Sequence, residues 1–150
     1  MNLSTVLTVD LIFTNLDPLE KNQLLEEVIN KICSARAILK EPIVKELILK
    51  REELCSTALD NHIAIPHAKI PGIDKTYISL GICNKGTDFG SIDGLKTKIL
   101  IFILHPEETG NNHLEILKSV SSLFSDNEIR KKVIEIEDPN KLLDFIKSNE

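Results

Sequence analysis

The chain has 150 residues, 42% of them apolar and 27% charged, with 18 basic against 23 acidic side chains and a net charge of −5. That is the size of one domain, and 21 Ile with 21 Leu exclude a disordered chain. The acidic balance, with Arg130-Lys131-Lys132 as the only dense basic patch, argues against a nucleic-acid binder.

No Trp and only six aromatics leave an aliphatic core. The first ten residues hold no Lys or Arg and include Asp10, a poor signal peptide. Further on, the longest apolar run, Ile99 to Leu104, is six residues, against about twenty for a membrane span. No direct membrane insertion is expected. Cys33, Cys55 and Cys83 are odd in number, far apart and form no CxxC. They read as reduced thiols of a cytoplasmic protein.

Asp17-Pro18-Leu19-Glu20 reads as a helix start. Asp17 can accept from an early amide, Pro18 suits the first helical position, and Glu20 sits where a capping box needs it. Behind it Leu24, Leu25, Val28, Ile29 and Ile32 repeat at helical spacing. A second helix is predicted from Pro42 to about Leu54. Ile63-Ala64-Ile65 reads as a strand closed by Pro66, which cannot donate to a ladder. A strand from Tyr77 to Cys83 precedes a loop-rich region marked by Gly86, Gly90 and Gly94. Lys98 to Leu104 reads as a central strand covered on both faces. Leu114, Leu117, Val120 and Phe124 mark a third long helix. Two short segments close the chain, Glu128 to Ile136 and Pro139 to Ile146, the second with Asp138 as its N-cap candidate. The pattern predicts a single layered α/β domain over residues 1–150, with a mixed parallel and antiparallel sheet of about five strands flanked by helices. Strand order is not readable from the pattern.

Three side chains stand out chemically. Val44, Ile48, Arg51 and Cys55 fall on one stripe of the second helix, at i, i+4, i+7 and i+11. Arg51 is then on the buried face, with Glu52 and Glu53 pointing elsewhere, and its guanidinium needs an anion, a structural ion pair or a route to solvent. His67 follows the strand that Pro66 closes, where a neutral imidazole can act as nucleophile or base or be a plain surface group. His113 opens the third helix on the face of Leu117, Val120 and Phe124, where free amides suit an anion and a capping role is the alternative. Cys55, on the apolar stripe, reads as core rather than nucleophile. Neither HExxH, GxSxG nor a P-loop occurs.

The segment from Arg51 to Lys69, with Arg51-Glu52, Ser56-Thr57 and Ile63-Ala64-Ile65-Pro66-His67, resembles the signature of the fructose/mannitol-type enzyme IIA domains of the bacterial phosphotransferase system. Asn112-His113-Leu114-Glu115-Ile116-Leu117 resembles the family's second histidine segment. Asp93-Gly94, the apolar strand, then His105-Pro106 also fit its layout. The resemblance covers nearly the whole chain and is strongest to the stand-alone nitrogen-regulatory branch, then to free-standing fructose-type domains. It implies that His67 is the phosphorylated histidine, Arg51 the active-site arginine and His113 the second active-site histidine. Ser56 and Thr57 match the hydroxyl pair near the site. Where the family often has glycine before the strand, this chain has Asn61-His62. Asn tolerates left-handed backbone angles, and His62 becomes an extra titratable group near the site.

On this resemblance His67 accepts a phosphoryl group from an HPr-type carrier. Charge spreads over the equatorial oxygens in the transition state, Arg51 offers a fork of donors, and His113 donates a further hydrogen bond. Thr57 or Ser56 orients the imidazole or binds an oxygen. Both partners are proteins, so no cofactor and no metal is expected. The onward partner is a IIB domain in a sugar-uptake role or a target protein in a regulatory one. A non-catalytic interaction module is the alternative of another class, against which the retained Arg51, His67 and His113 argue.

Overall fold

The computed structural model of the chain describes residues 2–108 and 112–150, residue 112 through its backbone only. Two 3-10 turns, Leu3–Thr5 and Val9–Leu11, lead into β1 (Ile12–Phe13). Then come α1 (Lys21–Ala35), α2 (Glu41–Leu54), β2 (Ile63–Ala64), β3 (His67–Ile70), β4 (Tyr77–Thr87) and β5 (Thr97–Pro106). Three helices follow, α3 (Asn112–Phe124), α4 (Asn127–Glu135) and α5 (Pro139–Asn149). The sheet is mixed, as the pattern predicts: β1 runs parallel to β4, β4 antiparallel to β5, and both β2 and β3 pair parallel with the other edge of β5.

β5 is the central strand because its apolar run fills two cores by simple alternation. Leu100, Phe102 and Leu104 meet α1 and α2, through Leu24, Leu25, Val28, Ile48 and their neighbours. Ile99, Ile101 and Ile103 meet Ile116 and Val120 of α3, Val133 of α4 and Leu142 and Ile146 of α5. All six β5 residues are 2% exposed or less. At about 1.5–3 kcal/mol for each fully buried aliphatic side chain, this strand anchors both layers.

Several boundaries differ from expectation. α1 starts at Lys21, and Glu20 itself is the cap: its carboxylate accepts from the amides of Asn22 and Gln23. Asp17 is left to a tight turn, its carbonyl taking the Leu19 amide. The strand at Ile63 does not finish the pairing at Pro66. The chain resumes on the same neighbour at His67, and the Pro66 carbonyl still accepts from the Ile103 amide at 3.0 Å. On an edge strand the missing proline donor removes no ladder bond. β4 continues through the region expected to be loop, with a register irregularity before Thr87 where Gly86 sits at φ +79°. A Cβ there would come within 2.8 Å of Lys96 Cβ, so glycine is required. On α3 the buried face is Ile116, Val120, Leu123 and Phe124, whereas Leu114 is 55% exposed. α5 is capped as expected, Asp138 accepting from the Asn140 amide at 2.9 Å. Among the described residues no helix is long and apolar enough to cross a membrane.

Candidate functional site

Register decides which side chains meet. In β3 and β5, His67 lies opposite Ile103 and Lys69 opposite His105. Partners across a parallel ladder share a face, as do alternate residues along a strand. His67, Lys69 and His105 therefore stand on the Ile103 face, on the side of α3, while Ala68 and Ile70 join the core under α1 and α2. The Nδ1 of His67 is 2.8 Å from the Ile65 carbonyl oxygen. A carbonyl only accepts, so Nδ1 carries a proton, and in the neutral ring it is Nε2 that holds the lone pair.

An open pocket of about 900 Å³ lies at this edge of the sheet. It brings together Lys50 and Arg51 of α2, His67 and Lys69 of β3, His105 of β5 and His113 of α3. Glu53 is its one acidic residue among the described lining. Arg51 is half-buried in the last turn of α2, and its Nη1 donates to the Cys55 carbonyl at 2.7 Å. It thus satisfies a helix-end carbonyl and leaves the rest of its planar fork to the pocket. The cationic lining suits an anion. Among the described residues no group of three or more His, Cys, Asp and Glu is placed to hold a metal ion.

His105 and His113 stack, ring centroids 5.5 Å apart and planes 11° from parallel. His105 is only 5% exposed, and its Nδ1 is buried without a hydrogen-bond partner. Burial pushes its imidazole pKa down; the Pro106 backbone pulls the other way, and nearby His113, His67 and Lys69 push it down further.

Ser56 and Thr57 do not line the pocket. The Ser56 hydroxyl donates to the Phe89 carbonyl and accepts from the Ala58 amide. Both the amide and the hydroxyl of Thr57 donate to Glu52. Glu52 is itself buried, which corrects the expectation that it points away from the core; Lys21 Nζ meets it at 3.0 Å and lies 5.2 Å from the centroid of the Phe89 ring. Cys55, expected in the core, is exposed: α2 ends at Leu54 and Cys55 is extended, so helical phase stops one residue earlier. The Thr57 carbonyl accepts from the Ile65 amide at 3.1 Å, so this buried network braces the segment that presents His67.

His62 is not a pocket residue. Its Nδ1 meets the Lys96 carbonyl at 2.7 Å, and its own carbonyl accepts from Lys98 and Ile99. Asn61 and His62 both adopt left-handed angles, φ +67° and +72°. Asp93 holds the turn by accepting from the Asn61 amide at 2.9 Å. Hydrogen bonds from Ser91, Asn61 and Leu95 keep the Asp93 carboxyl below its ordinary pKa. Sequence reasoning missed Lys69 and gave His105 no role of its own, although an imidazole ending an otherwise apolar strand was a signal. Nothing in the local sequence marked Glu52 as buried.

Residues 5–149 match the family model described as "Phosphoenolpyruvate-dependent sugar phosphotransferase system, EIIA 2". The chain is 32% identical over 150 residues to the fructose-specific EIIABC component of Bacillus subtilis, covering 100% of this chain but only 24% of that longer protein. It is 34% identical over 113 residues to a nitrogen regulatory protein of Bradyrhizobium diazoefficiens, covering 75% of this chain and 73% of the relative. The fold matches the crystal structure of nitrogen regulatory protein IIA-Ntr from Neisseria meningitidis, with a TM-score of 0.87, 23% identity and coverage of 96% of this chain and 98% of the other. It also matches a complex of mannitol enzyme IIA with phosphorylated enzyme IIB from Escherichia coli, with a TM-score of 0.80, 17% identity and coverage of 95% and 97%.

Proposed function

The chain belongs to the EIIA 2 family of the phosphoenolpyruvate-dependent sugar phosphotransferase system, and we propose that within it His67 is the phosphoryl carrier. The observation that supports this most is the tied ring: Nδ1 is held by the Ile65 carbonyl, and the ring lines the same pocket as Arg51 and His113. The Nε2 lone pair attacks phosphorus as the phosphorus–nitrogen bond of a donor phosphohistidine breaks and its electron pair returns to the donor ring. Arg51 and His113 donate to the equatorial oxygens, where charge develops. Ser56 and Thr57 act through the loop they brace rather than by touching phosphate.

The donor is an HPr-type carrier, and the chain works in the cytoplasm where such carriers are charged. The preferred downstream role is regulatory, in line with the likeness to nitrogen regulatory proteins: the phosphorylation state sets affinity for a target protein. The second reading, transfer to a IIB domain for sugar uptake, is favoured by the fructose-specific relative matched over the full chain. Incubating the chain with phosphoenolpyruvate, enzyme I and HPr tests the carrier role, since a non-catalytic interaction module would take up no phosphate. A host carrying His67→Ala separates the two roles. Altered target regulation with normal growth on every phosphotransferase sugar supports regulation; loss of growth on one sugar supports uptake.

A further inference from the structure

His105 has no part in the chemistry just described, yet it is the buried imidazole of the pocket. It continues the Ile99, Ile101, Ile103 face, and its ladder partner is Lys69, two residues beyond His67. Its ring stacks on His113. The groups around it come from three elements: His67 and Lys69 on β3, His113 on α3, and Lys50, Arg51 and Glu53 across the pocket on α2. Glu107 and Glu108 follow it on the chain and are exposed.

We propose that His105 is a third functional imidazole of the phosphoryl site, beside His67 and His113, one that takes up a solvent proton when His67 becomes phosphorylated; this rests on the assignment of His67 above. In the unphosphorylated chain the neighbours on β3 and α3, His67, Lys69 and the His113 ring stacked 5.5 Å away, all oppose a positive charge on His105. Low exposure adds a desolvation cost. Both conditions keep His105 neutral. A phosphoryl group on His67 places negative charge in the same pocket and offsets that repulsion. The buried Nδ1 of His105, which has no hydrogen-bond partner, then accepts the proton. No bond forms between His105 and phosphorus, and the proton comes from water. By linkage, the proton and the phosphoryl group each favour the other's binding. Acid therefore shifts the equilibrium toward phosphorylated chain.

The test follows the histidine rings of the full chain by nitrogen-15 NMR across pH. Four samples are compared: unphosphorylated chain, chain phosphorylated by enzyme I and HPr, His67→Glu and His67→Gln. The His105 midpoint should move up by about one pH unit or more in the phosphorylated and His67→Glu samples, and stay put in His67→Gln. A His105 midpoint that does not move in His67→Glu overturns the proposal. Failure of enzyme I and HPr to label the chain would instead sink the His67 assignment, while the His67→Glu sample still decides the coupling. A second readout is the phosphorylation equilibrium against HPr. Its pH slope should be steeper for the wild type, by up to tenfold per unit, than for His105→Leu or His105→Gln. Equal slopes would also overturn it.

Discussion

His67 Nδ1 stands 2.8 Å from the carbonyl oxygen of Ile65, the residue two positions earlier. The amide of Ile65 is in turn bonded to the Thr57 carbonyl, and Thr57 to the buried Glu52. Ring orientation at the pocket is thus set by backbone that is itself anchored in the core. A group that must present one nitrogen to an incoming phosphorus gains from such pre-orientation.

Arg51→Ala should slow phosphoryl transfer by about 30- to 1000-fold, the equivalent of about 2–4 kcal/mol of lost transition-state stabilisation. Arg51→Lys keeps the charge but not the fork, and should recover only part of that loss. Stopped transfer assays and thermal midpoints on the same preparations separate this from a structural effect. Loss of the Cys55 carbonyl bond alone costs about 0.5–1.5 kcal/mol of stability.

Glu52→Ala should be strongly destabilising although Glu52 lies outside the pocket. It leaves the Thr57 amide and hydroxyl unpaired and Lys21 without its partner. A loss of about 2–3 kcal/mol is expected, or about 5–10 °C in thermal midpoint for a chain of this size. Thr57→Val should cost less, because the amide bond survives. Thermal denaturation of the two variants side by side gives the ranking.

Asn61→Ala should cost about 1 kcal/mol, since alanine resists the left-handed angle that Asn61 adopts. Asn61→Gly should fold within about 0.5 kcal/mol of the wild type. Urea unfolding of both variants would show a reversed order if the turn does not need φ above zero.

His105 makes the stability of the chain depend on pH. Burial holds its folded-state pKa below the ordinary imidazole value, so in the unfolded chain it binds a proton that the folded chain excludes. Stability is therefore complete above about pH 6.5 and falls as pH drops below it. Thermal midpoints of wild type and His105→Leu, recorded at neutral and mildly acid pH, should show a shallower loss in the variant.

The features readable in the sequence were those fixed by short-range periodicity or by a motif. The apolar run of β5, the cap at Asp138 and the convergence of Arg51, His67 and His113 all follow from spacing or resemblance. Features set by distant partners were not readable. Helical phase put Glu52 outside and Cys55 inside, but Glu52 is drawn in by Lys21 and Thr57, and the helix ends before Cys55. β3 forms only because its parallel partner lies some thirty-six residues further on, His67 against Ile103. The burial of His105 depends on the same pairing and on α3 lying above it.

The central claim is that His67 carries phosphate on Nε2. Chain labelled by phosphoenolpyruvate, enzyme I and HPr, kept alkaline and mapped by mass spectrometry and phosphorus-31 NMR, should show one phosphohistidine, at His67, bonded through Nε2, and none in His67→Ala. Phosphate on His62, His105 or His113, or undiminished labelling of His67→Ala, would contradict it.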